Sequence, residues 1–148
     1  MTDKAKICIC HHLNPESNSI SKQAALHRLF LEEGGYEVIE TPSKGSTPFG
    51  LSCFIKMINN SQNFDILHVH ACSGWGFLPA IYGVIATKIT NKKMILTYHG
   101  GCLYKFYRHW FFLFGFLDRD MHITVPSAFL VRTFSKMGFH NVKIVENA

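Results

Sequence analysis

No apolar run in this 148-residue sequence reaches the roughly 20 residues that the core of a bilayer demands, which excludes an ordinary membrane-spanning helix. The apolar stretch Ile7 to Cys10 is also too short for the h-region of a secretory signal, and the segment before it, Met1 to Lys6, is charged, so export by a cleaved signal is not expected. Internal repeats and low-complexity tracts are absent. The five cysteines, Cys8, Cys10, Cys53, Cys72 and Cys102, form an odd set with no repeated spacing, which argues against a disulfide framework and for a reducing cytosol as the compartment. No Lys/Arg run exceeds Lys92-Lys93, and no zinc-finger or RNA-binding signature occurs, so nucleic acid is not expected as a partner. The formal net charge of +5 instead suits a phospholipid headgroup or a sugar diphosphate.

What is present is a composition of 47% hydrophobic and 17% charged residues, over a length at which one core forms comfortably and two rarely do. We therefore expect one domain, residues 1–148. Short β-branched or apolar runs alternate with longer helical patterns, the mark of βαβ units around a parallel sheet. Strands are expected at Ile7 to His11, Tyr36 to Thr41, Asp65 to Ala71, Lys93 to Tyr98 and Met121 to Val125, with a further one beginning at Ile144-Val145. The first helix follows the polar loop His12 to Ser19 and carries Ala25, Leu26, Leu29 and Phe30 on one face, and Gly34-Gly35 closes it. Thr41 to Gly50, rich in Pro, Gly, Ser and Thr, reads as a loop. Further helices are expected at Leu51 to Asn60, Phe77 to Ile89, Leu103 to Leu117 and Ser127 to Met137, the last closed by Gly138. This pattern makes an α/β fold with one Rossmann-like, doubly wound parallel sheet, which binds ligands at the carboxyl ends of its strands. The loops after His11, Ala71, Tyr98 and Val125 are therefore the ones to search.

His99-Gly100-Gly101 stands at such a strand end. Its glycines let backbone amides approach a ligand, and its imidazole exchanges a proton near neutral pH. In Asp65-Ile66-Leu67-His68-Val69-His70, period-two alternation sets Ile66, His68 and His70 on one face and Leu67 and Val69 on the other. His70 then falls at the crevice, and His68 reads as a hydrogen-bonded core histidine. A zinc site from these two lacks a third ligand at a diagnostic spacing, and the thiols around Cys8-Ile9-Cys10 read as buried strand residues, so no metal centre is assigned. Gly74-Trp75-Gly76 lacks the third glycine of a dinucleotide fingerprint.

The segment Leu103 to Leu117 carries aromatics all round. Leu103, Phe106, Tyr107, Trp110, Phe114 and Leu117 form a core-facing stripe at helical spacing, while Lys105, Arg108 and His109 mix with Phe112 and Phe116 on the other side. A basic face studded with phenylalanine suits anionic lipid, a lipid-linked acceptor or a protein partner.

The ordered series DILHVHA, MILTYHGG and DRDMHITVPSAFLVRTFSKMGFHNVKIVENA, covering Asp65 to Ala148, resembles the N-terminal domain of the family 4 glycosyltransferases, and Gly34 to Val38 resembles the family's G-H-E-V stretch. The resemblance implies the N-terminal, acceptor-side half of a GT-B fold. It implies a retaining transfer of sugar from a nucleotide-sugar co-substrate, with no required metal or other cofactor. His99 matches the loop histidine that faces the reaction centre, and Gly100 and Gly101 support the same loop. Asp120 and Ser127 match the aspartate and serine of the late motif, and Asn147 matches the hinge asparagine. Two features depart from the family. The first loop has no glycine pair for the donor phosphate, so Asn14 and Ser17 become candidates to hydrogen-bond an acceptor sugar instead. The hinge reads Glu146-Asn147-Ala148 rather than P-N-G.

The expected function is thus the acceptor-binding half of a glycosyltransferase, in glycan or cell-envelope polysaccharide or glycolipid synthesis, cytoplasmic or peripheral on the inner face of the membrane. His99 is the catalytic candidate, and His70, Gly100, Gly101, Ser127, Asn147, Asn14 and Ser17 are substrate-binding candidates. Expected partners are a sugar or glycolipid acceptor, an anionic membrane surface, and a C-terminal domain or split subunit that supplies the nucleotide half. Without that half, little activity is expected, because the dipoles that stabilise the leaving diphosphate are missing. The alternative is a non-catalytic membrane-associated or partner-docking module of the same fold. An epimerase is disfavoured because its catalytic carboxylates are not evident.

Overall fold

Strands form where apolar and β-branched residues run together, and helices where apolar residues recur at three and four. A computed structural model describes residues 4–13, 18–41, 43–44, 51–100 and 102–145. The elements in order are β1 (Ile7–Cys10), β2 (His12–Leu13), α1 (Asn18–Glu33), β3 (Val38–Glu40), β4 (Ser43–Lys44), α2 (Leu51–Asn59), β5 (Ile66–Ala71), α3 (Leu78–Thr90), β6 (Lys93–Tyr98), α4 (Leu103–Phe114), β7 (His122–Val125), α5 (Ala128–Lys136) and β8 (Val142–Ile144). Six strands make one all-parallel sheet in the order β3-β1-β5-β6-β7-β8. This is the Rossmann-like α/β architecture that the alternating pattern implies. A two-stranded parallel ribbon, β2 with β4, was not expected within the loops.

The pleat sorts the side chains into two layers. Cys8 and Cys10, Leu67, Val69 and Ala71, Leu96 and Tyr98, and Ile123 and Val125 all belong to the main core, together with buried residues of α2, α3, α4 and α5. Phe77, Phe106, Phe114 and Phe134 fill it with stacked and edge-on rings, such as the Phe77–Phe114 pair at 4.7 Å between centroids. Ile7 and Ile9 face the opposite way and pack with Ala24, Leu31 and Val38 in a smaller cluster beneath α1. Among the described residues, α1 is the helix that covers this second face.

Glycines end the helices as expected. Gly35 (φ 76°) follows α1 and Gly138 (φ 87°) follows α5, both in the left-handed region that a side chain disfavours. Gly83 does a different job at the middle of α3, where an added Cβ would lie 2.9 Å from Val69 Cγ2 and 3.0 Å from Met94 Cε. Its missing side chain lets α3 sit close on β5 and β6.

Three expectations need correction. The sheet-facing stripe of α1 is Ala24, His27 and Leu31, the first buried and the other two half-buried, rather than Ala25, Leu26, Leu29 and Phe30; Leu29 and Phe30 are 55% and 60% exposed. A histidine occupies the place where an apolar residue would have marked the stripe, so hydrophobicity alone sets the helix at the wrong rotation. The aromatic helix ends at Phe114, and Trp110, with non-helical φ/ψ of −124° and 26°, interrupts it and is partly exposed instead of core-facing. Finally, the sulfurs of Cys10 and Cys53 are in direct contact, linking β1 to α2 across a sequence separation of 43, although no pairing was expected. A single pair among five cysteines leaves no spacing for sequence to register.

Replacing Gly83 with Val should destabilise the fold by roughly 1–3 kcal/mol, the usual cost of overpacking, read as a lower urea midpoint. An unchanged midpoint would show that α3 has room to spare.

Candidate functional site

The strand order reverses direction at one place. From β1 the chain moves outward to β3, and from β5 it walks the other way to β8, so β1 and β5 flank the topological switch point. Their carboxyl ends, with that of β6 beside them, bring His11, His70 and His99 to one edge of the sheet.

His70 is fully buried, and its Nδ1 lies 2.9 Å from His99 Nε2, with the rings nearly parallel at 12°. Two residues back along β5, on the same face, His68 Nε2 meets Thr97 Oγ1 at 2.6 Å, and Thr97 Oγ1 meets Thr124 Oγ1 at 2.6 Å. These bonds cross from β5 through β6 to β7. From above, α1 lowers His27 onto the pair, its ring 5.5 Å from His68 and 5.0 Å from His70 between centroids. One ring nitrogen from each of His27, His68 and His70 lies within 4.8 Å of the others. His27 Nδ1 and His70 Nε2 are buried without a hydrogen-bond partner.

Burial disfavours charge on these rings, and each ring disfavours it on the next. Burial, with His27 and His99 adding to it, lowers His68 from 6.5 to about 3. His70 is pushed further down, first by burial and then by His68, His99, His27 and His11. Burial and then His27 lower His99 to about 4, and burial lowers His27 as well. At neutral pH His68, His70 and His99 are uncharged. His99 therefore offers a ligand hydrogen bonds rather than a positive charge.

Gly100 is buried beside Tyr98, where an added Cβ would lie 2.5 Å from the phenol oxygen. That phenol, pushed up to about 12 by burial against the opposing effect of its Ser73 bond, lies 2.5 Å from Ser73 Oγ and fastens the loop after β5 to the end of β6. Ser127 follows β7 at the same edge, but its hydroxyl oxygen accepts the Leu130 N–H at 3.4 Å and caps α5. Asp120 lies at the far, amino end of β7, exposed, where its carbonyl accepts a bond from Asn141 Nδ2 at 2.7 Å. It stands apart from the histidines. Asn14, Ser17, Gly101 and Asn147 lie outside the described residues.

Sequence reasoning brought His70 and His99 to the same edge but missed His27 and Thr97. The signal for His27 was its place between Ala24 and Leu31 in a helix that must pack on a sheet. Beside the cluster, a groove of ≈ 400 Å³ is lined by His27, Phe30, His68, Ile95, Thr124 and Val145, among others. No helix among the described residues is long and apolar enough to cross a membrane. Neither a comparison with models of protein families nor one with curated proteins gives a match.

The lowered histidines set the pH response. In the unfolded chain they titrate near 6.5 and in the folded chain well below it, so the unfolded state binds more protons as pH falls beneath 6.5. Stability, complete above that pH, should be lost as pH falls from about 6.5 to about 4 for His99 and to about 3 for His68, at up to about 1.4 kcal/mol per pH unit for each histidine held neutral. Urea unfolding at stepped pH reads this slope, and a flat profile would contradict the burial of these rings.

Proposed function

We propose that this domain binds the acceptor, and the sugar being transferred, in a nucleotide-sugar-dependent glycosyltransferase. The observation that carries the reading is His99, an uncharged imidazole on the carboxyl edge of the sheet beside the switch point, held by the buried His70. Its Nε2 is engaged by His70, which leaves Nδ1 for a ligand. Sugars are neutral and rich in hydroxyls, so a neutral hydrogen-bonding group held in fixed orientation suits them better than a charge does. The groups that perturb His70 and His99 are other histidines, with no carboxylate among them among the described residues. Acid–base chemistry by a carboxylate pair is therefore not supported, and the proposed role of His99 is to orient substrate and steady charge as it develops. The resemblance of Asp65 to Asn147 to the family 4 enzymes supports the same reading, with the donor nucleotide held by a second domain or subunit. The proposed setting is cytoplasmic, with the acceptor a sugar or glycolipid.

The test is sugar transfer and donor hydrolysis across UDP- and GDP-sugars, using the full natural coding sequence with any partner subunit. His99→Ala should lower turnover about 100-fold while the far-UV dichroism is unchanged. Equal turnover in the variant would remove His99 from the reaction, and no turnover with any donor would sink the enzyme reading.

A second reading rests on α4 and the residues after it. Phe111, Phe112 and Phe116 are 63%, 52% and 49% exposed, next to the exposed Lys105, Arg108 and His109. Apolar rings with cations beside them favour an anionic bilayer surface, where the rings enter the headgroup boundary and the cations meet phosphate. Wild-type protein should co-sediment with anionic vesicles, and the Phe112→Ala/Phe116→Ala variant should lose most of that binding. If the wild type stays in the supernatant, the lipid reading fails.

A further inference from the structure

We infer that His27, His68 and His70 form a binding site for one divalent transition-metal ion of the zinc class, with three imidazole nitrogens as the protein ligands. Three ring nitrogens already lie within 4.8 Å of one another. Ligands at about 2.0–2.1 Å from a shared zinc lie roughly 3.4 Å apart in a tetrahedral arrangement, a contraction within reach of small ring rotations. The donor set is all imidazole, which selects zinc, copper, nickel or iron, whereas magnesium and calcium require oxygen ligands.

The hydrogen bonds sort the nitrogens as a metal site requires. A ligating histidine usually gives its second ring nitrogen to a fixed partner, which sets both tautomer and ring angle. His68 commits Nε2 to Thr97, so Nδ1 is the nitrogen it has to offer. His70 commits Nδ1 to His99, and its Nε2 is buried with no partner. His27 Nδ1 is likewise buried with no partner. Without an ion, these two nitrogens are left buried and unpaired, an arrangement that folded proteins rarely tolerate.

Three protein ligands leave a fourth position. His27 and His68 both line the ≈ 400 Å³ groove, so water or a small ligand entering from it would complete the coordination. The ion also bears on His99. With metal on Nε2, His70 must carry its proton on Nδ1 and donate it to His99 Nε2, which puts the His99 proton on Nδ1. The metal thus fixes which nitrogen of His99 is a donor.

The experiment titrates the chelator-stripped 148-residue chain with zinc and with cobalt(II) chloride, by calorimetry and visible absorption. Expected are one equivalent bound and a cobalt spectrum of tetrahedral type. His27→Ala, which alters a partly exposed helix residue, should abolish the stoichiometric binding, and His109→Ala should leave it intact. Thr97→Val should weaken binding about tenfold. Should His27→Ala fail to fold, imidazole nitrogen NMR of the wild type decides instead. Zinc should shift the signals of His27, His68 and His70; shifts confined to other histidines would overturn the site. Absence of saturable binding, or equal binding by folded His27→Ala, would overturn it too.

Discussion

A parallel sheet must be covered on both faces, because its crossover connections leave apolar residues on each. Here the covering is unequal. Four helices seal one face over a layer of leucine, valine and aromatic rings, and that side supplies the bulk of the buried apolar area. The other face is packed with Ile7, Ile9 and Ala24 under α1 and carries imidazoles and threonines further along. The division lets one sheet serve two ends: burial on one side holds the strands in register, and that register places the polar groups on the other side. Gly83 is where the two meet, since the close seat of α3 fixes Val69, the residue between His68 and His70.

The strands were legible because each is a short apolar run that ends at a polar or glycine loop. The face carrying Ile66, His68 and His70 followed from the pleat alone. The histidine-bearing edge was legible for the same reason, since parallel strands deliver all their carboxyl ends to one side. Hidden from the sequence were contacts between elements far apart in the chain. His27 reaches β5 from another element, and a histidine inside an amphipathic stripe reads as a polar residue that should face solvent. Trp110 was placed in the core because helical spacing was extended through a residue whose backbone leaves the helix. Ser127, legible as a motif serine at the start of a helix, is the cap of that helix in the structure.

Keeping histidines neutral has a cost and a use. Burial denies them charge, so these rings add no electrostatic attraction of their own for a diphosphate, despite a net charge of +5 over the chain. The exposed cations Lys105 and Arg108 belong to α4, the helix that follows β6.

The bonds from His68 through Thr97 to Thr124 have one more property. Each threonine hydroxyl has a single proton to give and can accept two bonds, so the order of the row turns on whether the His68 ring accepts or donates. If the ring accepts, Thr97 donates to it and accepts from Thr124; if the ring donates, Thr97 accepts from it and either donates to Thr124 or accepts from it as well. The two cases correspond to the two neutral tautomers of His68. Thr124 lines the groove, so a group there that accepts its proton obliges Thr97 to donate to Thr124 and the ring to donate to Thr97, which sets the His68 proton across three strands without any movement of the backbone.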